Sequence, residues 1–232
     1  MNPVASQAFE AVAWAAVSLG VLSSIVITLD LPRRERQMMF VMNLVWPINA
    51  LWAGPIGLWA YWRLGRMGPP HQGASKSDHE NVDRQRPFWQ KVVAGTLHCG
   101  AGCTLADLIG PFLFAAMGFE VFGSLVYGEW TLDYILALLT GVSFQYMALA
   151  PMLGQSGPAI WWRALKVDFF SLTAWQLGMY GWMALVIFAW IGHLRPDHIA
   201  FWFMMQLAMA CGFCTSYPMN WLLIKTGVKT AM

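Results

Sequence analysis

An all-α, polytopic transmembrane bundle of about six spans is the fold this sequence predicts. Three observations carry that expectation. Of the 232 residues, 58% are hydrophobic and 11% are charged, against about 45–50% and about 25% in soluble domains. Mean hydropathy is +0.50. The apolar residues gather into runs of roughly 20, the length that crosses a bilayer as a helix, without the alternation of barrel strands.

The same composition excludes other classes. A soluble globule of this size lacks the polar cover such a chain would need. A net charge of +2 with no basic stripe argues against a nucleic-acid partner. Four cysteines are too few for a disulfide scaffold, and 14 Trp, 14 Phe and 6 Tyr exclude disorder.

In order along the chain, the expected spans cover residues 8–29, 38–62, 92–117, 132–153, 169–190 and 199–224. The first begins beside Glu10 without a basic leader and reads as a retained helix. The second contains Pro47 and Pro55, the third Pro111 and the sixth Pro218, each expected to kink its helix. Residues 65–87, with GPPHQGASKSDHENVDRQR, are polar and aperiodic and read as a solvent loop that includes His71 and His79. Residues 118–130 are apolar but broken by glycines and two glutamates, which suggests an interfacial or re-entrant piece. This divides the chain into a hairpin over 1–64, a loop over 65–87 and a four-span core over 88–232.

Loop charge gives the expected orientation. With six spans, one side carries Arg63, Arg66, Lys76, Arg84, Arg86, Lys91, Arg163, Lys166, Lys225 and Lys229, and the other Arg33, Arg34, Arg36 and Arg195. That places both termini on the cytoplasmic side of a multi-pass membrane protein, with the Arg33–Arg36 cluster on the wrong side. Trp62, Trp89, Trp161, Trp162 and Trp190 fit an interfacial belt.

The third span carries the densest chemistry. Cys99, Cys103 and Asp107 stand at i, i+4 and i+8, hence on one helical face, with His98 on its flank. Two thiols one turn apart suit one soft metal ion. Asp107 reads as the one carboxylate well inside a span, where charge is expensive and is kept for a partner. In the sixth span Cys211 and Cys214 share a face, with Met204, Met205 and Met209 upstream. Thiolates and thioethers select Cu(I) among common ions. The expected metal ligands are therefore Cys99, Cys103, His98, Asp107, Cys211 and Cys214, with copper or another soft metal as cofactor. The plainer reading makes the cysteines small packing residues and the methionines core filler. Gln145 and Tyr146 read as interhelical hydrogen-bonding groups, and Asn220 as a partner for backbone freed by Pro218. Asp168 reads as a helix-start charge, and His193 and His198 as interface histidines.

Four segments, HCGAGCTLAD, FQYMALAPM, ALKVDFFSLTAWQLGMYGWMA and TSYPMNWLLIKTGVKTAM, occur in this order. Together they resemble the bacterial membrane proteins of domain of unknown function family 4396, over roughly residues 88–232. WPINALWAGPIGLWAY is similar to the region preceding that domain in longer members. Ala106 departs from the glycine expected before the aspartate. The resemblance implies a helical bacterial protein of the inner (cytoplasmic) membrane and no particular activity, and directs attention to His98, Cys99, Cys103, Asp107, Pro218, Asn220 and Lys229.

The leading expectation is thus a membrane protein that binds or transports a soft metal ion. The alternatives are a non-catalytic subunit or assembly factor of a larger complex, and a haem- or quinone-binding redox protein. Its surroundings are the lipid bilayer, with a homo-oligomer or other subunits as partners. No phosphate-cradling, nucleophile-elbow or metalloprotease motif points to an enzyme.

Overall fold

The structure, a computed structural model, describes residues 7–33, 41–66 and 86–229. Six helical segments account for nearly all of it: α1 Gln7–Asp30, α2 Met42–Ala60, α3 Phe88–Met117, α4 Leu125–Leu153, α5 Pro158–Ala184 and α6 Ile199–Lys225. Wider turns extend α2 over Tyr61–Gly65 and α5 over Leu185–Trp190. Among the described residues the single extended pairing is an isolated bridge between Val121 and Ser124.

Five segments, all but α2, are long and apolar enough to cross a membrane. The outer faces of these helices are lined by exposed large apolar side chains such as Leu22, Leu139, Leu177 and Phe188. That surface suits lipid and would be untenable in water. The chain is an integral membrane protein.

α2 does not run through. Gly54 leaves the helical region, with φ 56° and ψ −134°, a conformation open to glycine because it lacks Cβ. On the far side of this break the chain turns back. Trp46 packs edge-on against Tyr61 with ring centroids 5.9 Å apart, and the Trp46 indole fills the space against Gly65. In an unbroken helix residues 46 and 65 would stand about 28 Å apart. The second expected span is therefore a re-entrant hairpin, whose tip reaches Gly20 in the middle of α1. Pro55 offers no N–H to the Leu51 carbonyl; Gln206 of α6 donates to it instead, at 2.7 Å. Irregular backbone at membrane depth needs such protein cover.

The hairpin changes the count and the topology. Asp30, at the end of α1, accepts hydrogen bonds from Tyr61 and Arg66, so α1 ends where α2 ends. Phe88 at the start of α3 meets Trp221 near the end of α6. At the opposite end, Glu10 pairs with His198 at 3.5 Å and Phe9 packs on Phe203. The two ends of the described chain thus lie at opposite ends of the bundle, in place of the expected common side. Of the ten described Lys and Arg residues, nine lie at the end holding the α1–α2 connection, and Arg195 alone lies at the other. Arg33 is no longer on the wrong side.

Residues 118–124 form a short turn in place of an interfacial segment. Gly118 closes α3 in the left-handed region and Phe122 is 95% exposed. The last residues of that stretch already belong to α4. The expected loop over 65–87, with His71 and His79, lies almost wholly outside the described residues.

Glycines set the spacing of the four-helix core. A Cβ at Gly102 would stand 2.6 Å from the Gly141 Cα, so α3 and α4 touch backbone to backbone. The buried Trp175 indole of α5 lies between Gly100 of α3 and Gly212 of α6.

Candidate functional site

The expected α3 face exists, and its three residues face the bundle interior: Cys99 and Cys103 are fully buried and Asp107 nearly so. Their partners come from α4, α5 and α6 and form two centres.

The first centre lies toward the basic end. Cys99 Sγ donates to Asp168 Oδ1 of α5 at 2.7 Å and accepts from Ser171 Oγ at 3.1 Å. Lys229 reaches back from the turn after α6. Its Nζ donates to Cys99 Sγ at 2.8 Å, to Asn220 Oδ1 at 2.9 Å and to Asp168 Oδ1 at 3.3 Å. Asn220 Nδ2 in turn donates to Ser171 Oγ at 2.6 Å and to the Ser216 carbonyl at 3.0 Å. Lys229, Asp168, Cys99, Ser171, Ser216 and Asn220 are all buried. Burial works against the charged form of Lys229, yet Cys99 and Asp168 outweigh it and hold the ammonium above the ordinary lysine range. Gly141 of α4 leaves room for Asp168, since a Cβ there would come within 3.2 Å of Oδ2.

The second centre lies eight residues further along α3, about 12 Å at helical rise. Asp107, Glu129 and Asp133 line a cavity of about 30 Å³ with Tyr180 and His193, room for about two waters. Tyr180 donates to Asp133 Oδ2 at 2.9 Å and stacks on Trp130. Neither Asp107 oxygen, nor Asp133 Oδ1, receives a hydrogen bond from an N–H or a hydroxyl; the two carboxyls meet each other instead. No lysine or arginine lines this cavity. Asp107 also borders a larger cavity of about 410 Å³ between α1, α2, α3 and α6. Between the centres, Cys103 packs into an apolar layer with Ala106, Ala137, Leu172 and Trp175.

Other expected residues sit elsewhere. His98 is fully buried with its ring against Phe144 of α4, and both ring nitrogens lack partners. Cys211 is half-buried and Cys214 exposed on α6, while both α3 thiols are enclosed. Among the described residues, no group of three or more His, Cys, Asp or Glu is placed to hold a metal ion. Met204 is core; Met205 and Met209 border the larger cavity. The Gln145 amide is buried with Oε1 unpartnered, and Tyr146 OH accepts from the Gly157 N–H at 3.3 Å. His198 caps α6.

Asp107 is not the one buried carboxylate: Asp133 and Asp168 are buried too. Both were hidden by taking apolar runs as whole helices. α5 starts at Pro158, so Asp168 lies ten residues inside it; a proline at the first helical position was the available signal. α4 starts at Leu125, which places Asp133 two turns in. The family resemblance pointed to Lys229, but its spacing and surroundings in the sequence did not, because its burial follows from the chain turning back after α6.

No curated protein and no solved structure matches this chain. A protein-family comparison matches residues 88–229, from the first residue of α3 to the buried lysine, to the family described as Domain of unknown function (DUF4396). Both centres draw their side chains from within that range, and the chain belongs to this family.

Proposed function

We propose that the chain is a transporter of a cation in a bacterial inner membrane, with Asp107 and Asp133 as its binding carboxyls. One observation carries the reading. Two buried carboxyls meet in a small cavity that no lysine or arginine lines, and three of their four oxygens receive no hydrogen bond from an N–H or a hydroxyl. Charge in that position is costly and marks ion or proton paths. No lysine or arginine neutralises the pair, which leaves that role to a proton or an arriving cation. The apolar layer at Cys103 then acts as the barrier that must open for passage toward the Asp168–Lys229 centre. The crowding of nine described basic residues at one end supports a cytoplasmic position for that end.

The test is an imposed pH gradient across proteoliposomes, challenged with Na⁺, K⁺, Cu(I) or tetraethylammonium. One of them will collapse the gradient in the wild-type protein, at least tenfold more slowly in Asp107→Asn and Asp133→Asn. Wild-type vesicles that hold the gradient as well as protein-free vesicles, for all four ions, would overturn the proposal.

A Cu(I) substrate is a second reading, favoured by two free, buried thiols one turn apart on the Asp107 face. Cys99 and Cys103 would then be successive soft ligands, and Lys229 would have to leave Cys99 when the metal arrives. Elemental analysis after anaerobic Cu(I) loading tests this. Stoichiometric copper lost in Cys99→Ser/Cys103→Ser supports it; copper retained in that variant, or absent from both proteins, removes it.

A further inference from the structure

The larger cavity beside Asp107 is built from two parts of the chain: Val17 and Val21 of α1 and Leu51 and Trp52 of the re-entrant hairpin face α3 and α6 across it. Its volume of about 410 Å³ suits a small organic molecule and far exceeds a bare ion. Val21 and Phe112 on its rim are exposed at lipid depth, so it opens toward the bilayer.

The polar chemistry of its wall is one-sided. Trp52 Nε1 donates to Asn49 Oδ1 at 3.0 Å, and Trp202 Nε1 to the Pro196 carbonyl at 2.9 Å. Thr104 Oγ1 donates to the Gly100 carbonyl at 2.8 Å. The Gln206 amide nitrogen serves the carbonyls of Leu51 and Ala16. Every N–H and O–H of the lining tryptophan, threonine and glutamine side chains is thereby committed to the protein. What remains for an occupant is acceptors: the Asp107 carboxyl, which meets Asp133 and takes no N–H or hydroxyl donor, and the thioethers of Met205 and Met209. The occupant must therefore be a donor. A carboxylate among the aromatic faces of Trp52, Phe112 and Trp202 favours one that is also positively charged.

We infer that this cavity binds a small hydrophobic amine in its ammonium form, with the charged nitrogen on Asp107 and the apolar body among Trp52, Trp202 and Phe112. An amine with an apolar body partitions into the bilayer, which matches the lateral opening. Asp107 is shared with the carboxyl cavity, so an arriving ammonium and a proton compete for one group. As a substrate site the cavity rests on the transport reading; as a binding site it does not.

Equilibrium dialysis of the full chain in detergent, with 1-naphthylmethylamine and the neutral isostere 1-naphthalenemethanol, tests the inference. The amine will bind saturably at one per chain and at least tenfold tighter than the alcohol. Asp107→Asn will lose at least tenfold for the amine and little for the alcohol, and Trp52→Ala will weaken both. Size-exclusion elution and thermal midpoint identify any variant that fails to fold, and Asp107→Glu, which keeps the charge, should retain binding. Equal binding of amine and alcohol, no saturable amine binding, or unchanged binding in a folded Asp107→Asn would each overturn the inference. Binding without transport of any cation would keep the site and remove the transporter; transport without amine binding would do the reverse.

Discussion

Two acidic centres sit on one face of α3, and they are neutralised in opposite ways. At Asp168 the protein brings its own cation: Lys229, with Cys99, Ser171 and Asn220, closes a network of buried groups. At Asp107 and Asp133 it brings no lysine or arginine, and leaves a cavity instead. A paired buried charge is a latch, because removing one partner strands the other. An unpaired one is a vacancy for something that arrives and leaves. The first centre should therefore report on stability, and the second on function.

The largest effect separates the two directly. Lys229→Met strands Asp168 and should cost about 3–5 kcal/mol of stability in detergent. Asp168→Asn in the same chain should recover more than half of it, because the double variant leaves no uncompensated charge. A single variant within about 1 kcal/mol of wild type would mean that the network is open to water and is no latch.

Glycines at the two centres give the next contrast. At Gly102 a new Cβ would press on the Gly141 backbone at 2.6 Å, so α3 and α4 must part; Gly102→Ala should cost about 1–3 kcal/mol. At Gly110 a Cβ would meet Asp133 Oδ1 at 3.4 Å, an ordinary contact. Gly110→Ala should keep its thermal midpoint and still slow transport, since it narrows the carboxyl cavity. Equal destabilisation at both positions would erase the distinction. Gln206→Leu sits between these cases. It orphans the Leu51 carbonyl at the hairpin break and should cost about 1–3 kcal/mol, with an altered tip readable as faster amide exchange near Gly54.

The sequence disclosed the class of protein and the α3 face, because both follow from local quantities. Hydropathy of a 20-residue window depends on nothing distant, and the spacing of Cys99, Cys103 and Asp107 is fixed by helical geometry alone. The hairpin in α2 was legible only through a mismatch: Arg33, Arg34 and Arg36 sat on the wrong side of a six-span count, and Gly54–Pro55 broke the run that would have to cross. Composition cannot tell a spanning segment from one of the same length that folds back. Asp133 and Asp168 were lost at helix boundaries, where apolar runs start later than the helices that contain them. Lys229 and Asn220 joined the site through tertiary return of the chain, which no local pattern records. Cys211 and Cys214 show the converse: a shared face on α6 says nothing about which way that face points, and Cys214 is exposed.

The smallest expected change in stability is the most telling for function. Asp107 takes no N–H or hydroxyl donor from the fold, and the polar group it meets is a second carboxyl, Asp133. An unsatisfied buried carboxyl costs free energy that the folded state carries for some other purpose. Asp107→Asn keeps the shape and removes the charge. It should leave the thermal midpoint unchanged or slightly raised, within about 1 kcal/mol, while cation transport and amine binding fall at least tenfold. Asp168→Asn, with the same chemical change at the other centre, should show the reverse: clear destabilisation, because Lys229 loses its counter-charge. Measuring thermal midpoint and transport for both variants side by side turns the comparison into a crossed pair. If Asp107→Asn proves the more destabilising of the two, Asp107 is a structural group whose partner water or lipid supplies, and the vacancy at the second centre is a packing feature with no cation to bind.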